Sequence, residues 1–571
     1  MQSTIGSETI VLDPTKAAFG PSDSLASLGR THFIGIGGAG MSVLAEMLHE
    51  EGVEVSGSDR AANAKTDRLT ALGVKVYFGQ RAENVTGAQT VVYSSAIKPD
   101  NPEIVAAAAA GARIVHRSDI LALLMASKCA VSVAGAHGKT TTSSLISHIL
   151  VNAGVEADAE DGARTGMNDK PSAESNGKTS MGAVKLADPS YAIGGSIQGP
   201  DGVAIDGGHA GSGDVLVAEA DESDGSFEKY RPQFALITNA EADHLDHYGD
   251  AEHYQQAFVE YASHAKGFVV MSIDDKGAQA IVRALPDEVA AKTICYTIAP
   301  IGDIAQIVGM NDADNSTDVD KEVMQNVAGS ACPQLVRILS EQESAGDGTE
   351  RFTIELPAGF AGSDQVRRIP VTLRIPGIHN ARNATAALIV TTLLGMDPVL
   401  AARTAATFRG ASRRFEVNGV EDDVTVVDDY AHHPTEIAAL LDAARRRYPD
   451  STIRVLFQPH LFSRTKFFIK RFAEALAKAD DVVIAPIYPA RERQEDFPDI
   501  TSQIVVDAAG SLDHNPAEGW ICVSKTLEEG AKTLVRHAKP GDVLITVGAG
   551  DVTTMDDVML EMLKARAGES R

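Results

Sequence analysis

Lys139 and the threonines behind it stand at the end of a glycine turn, in Val131-Ser-Val-Ala-Gly-Ala-His-Gly-Lys-Thr-Thr-Thr142. A β-branched run leads into the turn and an apolar helical pattern leads out of it. A backbone that bends this tightly points several N–H groups at one anion, and the helix behind adds the positive end of its dipole. The spacing predicts a phosphate cradle made by Gly135, Ala136, His137, Gly138, Lys139, Thr140 and Thr141. Lys139 would reach the β- and γ-phosphates of a nucleoside triphosphate, and the Thr140 hydroxyl would hold Mg2+. The loop is a short variant: Val133 occupies the usual place of the first glycine, and Gly135 lies three residues before Gly138.

Two apolar runs that end in acids follow. Val215-Leu-Val-Ala-Glu-Ala-Asp-Glu-Ser223 puts Glu219 where a Mg2+ ligand opposite a phosphate loop is expected, and Glu222 offers the same chemistry. An ordinary acidic loop is the alternative. Ile237-Thr-Asn-Ala-Glu-Ala-Asp-His244 repeats the form with Asn239, Glu241, Asp243 and His244. Farther on, Asn380 and Asn383 fall on one face of a helix that starts near them, suiting a nucleobase or phosphate edge. Helix capping by Asn380 would explain that residue equally well. Ser412-Arg-Arg-Phe415 and Val427-Asp-Asp-Tyr-Ala-His-His-Pro434 supply an arginine and an aspartate that would close over a nucleotide, or simply line a solvated turn.

A second glycine loop, Gly35-Ile-Gly37-Gly38-Ala39-Gly40, also follows a strand and opens a helix, and Asp59 stands nineteen residues beyond its last glycine. This pattern places a diphosphate over a helix N-terminus and an acid near a ribose. NAD and a UDP-sugar both offer those groups. An NAD-dependent oxidoreductase is therefore the alternative function, although it leaves Lys139 idle. An ATP-driven switch protein would use Lys139 but not this loop.

These residues need strands and helices to hold them. His32–Ile36, Val53–Gly57, Val74–Tyr77, Thr90–Tyr93 and Arg113–Val115 read as strands alternating with helices, and another such unit starts at Val131. Near Gly410 a third begins, with strands at Thr425–Asp428, Ile453–Phe457, Asp481–Ala485 and Asp542–Val547. The expected fold is α/β in three domains: an N-terminal Rossmann-like sheet, a central P-loop ATPase-like domain and a C-terminal Rossmann-like domain. Their bounds are 30–127, 128–409 and 410–571, after a polar tail at 1–29, with surface insertions near 156–190 and 303–350. A chain of 571 residues is too long for one core. Its net charge of −27 argues against nucleic acid or an anionic membrane as partner. Four widely spaced cysteines match no metal or redox motif and read as reduced thiols. With no secretory signal at the start and no apolar run of membrane length, a cytoplasmic protein is expected.

Taken in order, these motifs resemble the Mur ligase family along nearly the whole chain. The resemblance rests on residues 35–42, 135–141, Glu219-Ala-Asp-Glu-Ser-Asp224, Asn239–His244, Gly377–Asn383, Arg413-Arg-Phe415 and Asp428–Glu436. The first of these separates this chain from family members with other N-terminal domains, and the resemblance as a whole is to the type that adds L-alanine. The resemblance implies an ATP-dependent amide-forming ligase that joins L-alanine to the lactyl carboxylate of UDP-N-acetylmuramate. An acyl phosphate is the intermediate, ADP and phosphate are released, and the pathway is peptidoglycan precursor synthesis. It implies UDP-substrate contacts at Gly37, Gly38, Ala39, Gly40, Asp59, Ser94 and Ser95, and ATP on residues 135–141. One Mg2+ would sit on Thr140 and Glu219 and a second on His244. Asn380 would meet adenine, Asn383 the phosphate side, Asp429 the ribose and Arg414 the transferred phosphate. Lys139, Glu219, His244 and Arg414 would thus carry catalysis. His432 or His433 would take the amine proton, and Tyr488–Glu492 would border the amino acid. A monomer or weak homodimer is expected. Ala136 replaces the family's usual threonine, which removes a hydroxyl but no backbone donor.

Overall fold

The computed structural model describes the chain except residues 1, 6–7, 164–183, 195–196, 199–203, 206, 300–333, 341–347, 491, 513–515 and 570–571. Most of both expected insertions lies outside the described residues. The chain divides into two compact units: Met1–Ser340 with Phe352–Val371 and Arg382–Ala406, and Glu341–Arg351 with Thr372–Ala381 and Thr407–Arg571.

The first unit begins with a surprise for a polar tail, because Gln2–Ile5 and Glu8–Val11 pair as an antiparallel hairpin. A five-stranded parallel sheet follows, in the order Lys75–Phe78, Val55–Asp59, Thr31–Ile34, Thr90–Tyr93, Arg113–His116. The order in which strands are added reverses beside Thr31–Ile34, which is where open α/β sheets leave a crevice at their carboxyl ends. Gly35 follows this strand at φ +78° and turns the chain into the helix Ala39–Glu50. Helix starts are marked in the sequence: Asn63 accepts N–H bonds from Lys65 and Thr66, and Asn101 caps a helix whose first residue is Pro102.

A ten-stranded sheet forms the rest of the first unit. Its middle order is Ser190–Ala192, Val215–Glu219, Cys129–Ala134, Phe234–Ile237, Phe268–Ser272, Thr293–Thr297, Gln334–Ser340, all parallel. Val131, Val217 and Leu236 are completely buried, as expected of strands covered on both faces. The strand ending in Ala134 lies between the strands ending in Glu219 and Ile237. That neighbourhood delivers both acidic strand ends to the phosphate loop. The helix behind the loop runs from Lys139 to Ala163. Cys129 is a free thiol whereas Cys295 is disulfide-bonded, which corrects the expectation of four reduced cysteines.

The second unit holds a six-stranded sheet in the order Glu416–Glu421, Val424–Asp429, Val543–Val547, Ile453–Phe457, Asp481–Ile484, Ile521–Val523. The first pair is antiparallel and the other four pairs are parallel. Two apolar layers cover its faces, one around Phe457, Phe472 and Leu441 and the other around Leu534, Met559 and Leu563. Three α/β sheets are therefore present, as expected.

Candidate active site

The phosphate loop is held open by its neighbours. Gly135 and Gly138 take φ +135° and +83°, conformations that side chains avoid. The carbonyl of His137 accepts from Thr238 Oγ1 at 2.6 Å and from Asn239 Nδ2 at 2.7 Å. Asn239 Oδ1 in turn accepts the His137 N–H at 3.3 Å. Asn239 is thus a loop-shaping residue. A Cβ on Gly138 would lie 2.7 Å from Asn383 Oδ1, so Asn383 sits directly on the cradle. Gly138→Ala combines that clash with a left-handed backbone cost of about 1–2 kcal/mol. We expect it to lower both melting temperature and ATP affinity, and unchanged ATP binding by titration calorimetry would contradict the cradle.

Lys139 folds back over its own loop. Its Nζ donates to the carbonyl of Gly135 at 2.5 Å and to Glu222 Oε1 at 2.9 Å. Glu222 is 1% exposed, and its Oε2 has no hydrogen-bond partner among the described residues. Burial disfavours the ammonium, but Glu222, Asp221 and Glu219 outweigh it and hold the Lys139 pKa above the ordinary lysine value. Burial also raises the Glu222 carboxyl, against the pull of Lys139 and His244. A buried cation on a half-satisfied carboxylate, beside N–H groups, is ready to exchange its partner for phosphate oxygens.

The expected metal ligands divide into two pairs. Thr140 Oγ1 lies 3.3 Å from Glu219 Oε2, and Glu219 Oε1 accepts from Ser143 Oγ at 3.1 Å and Gly194 N at 2.9 Å. A hydroxyl and a carboxylate are hard oxygen donors of the kind Mg2+ prefers, with water completing its shell. His244 stands apart from this pair, with Nε2 3.6 Å from Glu222 Oε1. Two acids stand against His244 Nε2: Glu222 and, with Oδ2 at 3.8 Å, Asp243. His244 itself takes φ +52° and its N–H donates to Asp243 Oδ1 at 2.8 Å. Among the described residues no group of three or more His, Cys, Asp or Glu gathers as a metal cage.

At the second glycine loop two of the expected residues also have partners within the protein. Asp59 Oδ2 accepts the Gly37 N–H at 2.8 Å and Oδ1 accepts the N–H of Arg60 at 2.7 Å. Asp59 fastens the loop and occupies one of its donors. Ser95 Oγ donates to Asp224 and lies 3.1 Å from His116 Nε2. Ser94 is half-buried at the carboxyl end of the same strand. Burial lowers His116 to about 4, against the pull of Asp224, so this histidine is neutral at ordinary pH.

Arg117 was not expected here. A Cβ on Gly40 would lie 3.1 Å from Arg117 Nη1, and Arg117 Nη2 donates to Asp221 Oδ2 at 2.5 Å. One guanidinium thus spans the glycine loop and the acidic segment beside Lys139. Burial opposes ionisation of Asp221, but Arg117 and Lys139 together hold it far below the usual carboxylate range. The only signal in the sequence is a cation immediately after a strand end.

The helix Ile378–Leu393 starts just before the paired asparagines, and Asn380 Nδ2 donates to the carbonyl of Pro376 at 2.8 Å. Asp429 Oδ2 accepts from Phe415 N and Oδ1 from Ala431 N, each at 2.8 Å. Burial raises its pKa to about 6, against the pull of Arg414. Arg413 and Phe415 take φ +57° and +50°, so two left-handed residues flank Arg414. Arg414 Nη1 lies 3.8 Å from Glu436 Oε1, and its guanidinium covers the Tyr430 ring. His433 is 3% exposed, caps the helix Pro434–Arg447 and packs on Phe468. Of the two candidate bases, His432 is the more accessible, with Nδ1 3.3 Å from Glu436 Oε2. Tyr488 stacks on His460, whereas Arg491 lies outside the described residues.

Three family models match the chain: "Mur ligase family, catalytic domain" at residues 30–129, "Mur ligase middle domain" at 209–319 and "Mur ligase, glutamate ligase domain" at 413–550. The UDP-N-acetylmuramate–L-alanine ligase of Bifidobacterium adolescentis is 58% identical over 557 residues, 98% of this chain and 97% of that protein. The enzyme of the same name from Bifidobacterium longum subsp. infantis is 58% identical over 558 residues, 98% of each. Among solved structures, the UDP-N-acetylmuramate–alanine ligase of Thermotoga maritima superposes with a TM-score of 0.64 at 25% identity, covering 94% of this chain and 99% of its own. With family models along its length and relatives this similar over nearly every residue, the chain belongs to the Mur ligase family.

Proposed function

We propose that the chain joins L-alanine to the lactyl carboxylate of UDP-N-acetylmuramate with conversion of ATP to ADP and phosphate, the reaction its relatives are named for. The observation that carries this reading is Lys139, poised on Glu222 at 2.9 Å in a glycine cradle whose neighbouring strand presents Glu219. An NAD-dependent oxidoreductase gives that arrangement no role and is not supported by any of these relatives. In our division, residues 30–127 hold the UDP substrate, 128–409 hold ATP and 410–571 hold the amino acid. We place the protein in the cytoplasm as a monomer or weak homodimer; among the described residues no helix is long and apolar enough to cross a membrane.

A carboxylate is a poor acyl donor because its leaving group would be oxide. Phosphorylation turns the leaving group into phosphate, and the protein's task is to position reactants and offset charge. Lys139 and the loop N–H groups hold the β- and γ-phosphates, with Asn383 on the nucleotide's phosphate side. Thr140 and Glu219 are the residues to hold one Mg2+ and His244 a second; the ions would neutralise charge on the transferring phosphoryl group. From the second unit we assign Arg414 to the transferred phosphate, Asp429 to the ribose and Asn380 to the adenine. Gly37, Gly38, Ala39 and Gly40 receive the substrate diphosphate, and Arg117 lies close enough to Gly40 to join them. His432 accepts the proton of the attacking amine, because the ring of His433 is committed to capping.

ADP release is the measurement that tests this. Release is expected only when UDP-N-acetylmuramate and an amino acid are both present, and fastest with L-alanine among alanine, glycine and serine. ADP release that ignores either acceptor, or specific quenching of NADH fluorescence, would refute it.

A further inference from the structure

The Thr546 hydroxyl carries one hydrogen and faces three oxygens: Asp556 Oδ1 at 2.7 Å, Asp428 Oδ1 at 2.9 Å and the Val427 carbonyl at 3.4 Å. All are buried, with Thr546 0%, Asp428 1% and Asp556 3% exposed. One hydrogen cannot serve two carboxylates, so two ionised acids here would leave an oxygen aimed at an oxygen. A proton on one acid removes the conflict.

Its place follows from the remaining contacts. Asp428 Oδ2 accepts from Arg413 Nε and Thr553 Oγ1, each at 2.8 Å, which favours its charged form. Asp556 Oδ2 accepts only a neutral donor among the described residues, Asn418 Nδ2 at 2.9 Å. We propose that Asp556 is a positioning residue: it carries a buried proton, donates it to Thr546, and so lets the threonine hydroxyl bond Asp428, whose charge holds Arg413. Arg413 in turn donates to the carbonyl of Gly548 at 2.7 Å and ends on the left-handed backbone beside Arg414. The proton thus props the arginine bend from behind.

Among the described residues the charged groups acting on Asp556 are Asp428, from the strand Val424–Asp429, and Arg413. The facing strand Glu416–Glu421 contributes the uncharged Asn418, and Val543–Val547 contributes Thr546. Burial, reinforced by Asp428, raises the Asp556 carboxyl to about 7. A raised pKa in the folded state means stability that is complete below the unfolded value near 4 and lost as pH rises through 7.

Asp556→Asn tests this, because an amide N–H replaces the acid O–H toward Thr546 while its oxygen still accepts from Asn418. Relative to wild type, the melting temperature of Asp556→Asn is expected to climb steadily between pH 4 and 7 and then level. The ratio of its ATP turnover to that of wild type is expected to rise at least ~3-fold between pH 6 and 9. Thr546→Ser should keep the wild-type profiles and Thr546→Val should lose them. Stability and turnover differences that stay constant with pH would overturn the proposal, as would a wild-type profile for Thr546→Val. The turnover arm rests on the reading of Arg414 and the melting arm does not, so a failure of that reading alone leaves the melting result standing.

Discussion

Lys139→Ala is expected to lower ADP formation by about 10³-fold, the scale on which fixed charge at a developing anion acts in a water-poor site. Affinity for UDP-N-acetylmuramate, measured without ATP, should stay within ~3-fold, because Lys139 reaches the glycine loop at 35–40 only indirectly, through Asp221 and Arg117. The structure adds a complication. Lys139 is the cation on Glu222, whose other oxygen has no partner among the described residues. Removing one member of a buried pair typically costs about 3–5 kcal/mol, so the single variant should also melt early. A second substitution separates the effects: Lys139→Ala with Glu222→Gln should recover most of the stability and none of the rate. Calorimetry and a coupled ADP assay on both variants decide it, and a double variant with wild-type turnover would end the phosphate role of Lys139.

Arg414→Ala should show the opposite balance, a loss of about 10³-fold in turnover with little loss of stability. Its side chain is 23% exposed and its ion pair with Glu436 is long, at 3.8 Å, so the fold leans on it weakly. Glu436 keeps its bonds to the N–H groups of His432 and His433 without it. ATP affinity should change less than ~10-fold, provided it is measured at pH 8. Burial already raises Asp429 to about 6 and Arg414 opposes that rise, so the variant's aspartate titrates higher still. At pH 6 it would be largely protonated, and a ribose effect would be mistaken for a phosphate one. A variant that loses ATP affinity at pH 8 but keeps its turnover would contradict the assignment.

What could be read from sequence was what is local. The phosphate loop is one strand, one turn and one helix, so Gly135 to Thr141 carries its geometry within itself. Acidic strand ends are local too, and parallel pairing of Val215–Glu219 and Phe234–Ile237 with Cys129–Ala134 brought them in as expected. Partners distant in sequence were invisible. Nothing near Glu222 announces that it pairs with Lys139, and nothing near His244 announces Glu222. The spacing of Asp59 pointed to a ribose, and gave no sign that its oxygens also accept the N–H groups of Gly37 and Arg60. His432 and His433 look alike in sequence, but the proline after His433 starts a helix and makes that ring its cap. The hairpin at the N-terminus was missed because polar composition conceals a backbone that can still pair.

Arg117 has one consequence for how ligands sense one another. One of its terminal nitrogens lies over Gly40 and the other donates to Asp221, whose charge is felt in turn at Lys139. With the proposed ligands bound, an anion on the glycine loop would compete for the guanidinium and return part of Asp221's field to the lysine. A triphosphate engaging the lysine would alter the pull of Asp221 on Arg117. Each ligand's affinity would then depend on the other's presence, and thermodynamics requires the two effects to be equal in size.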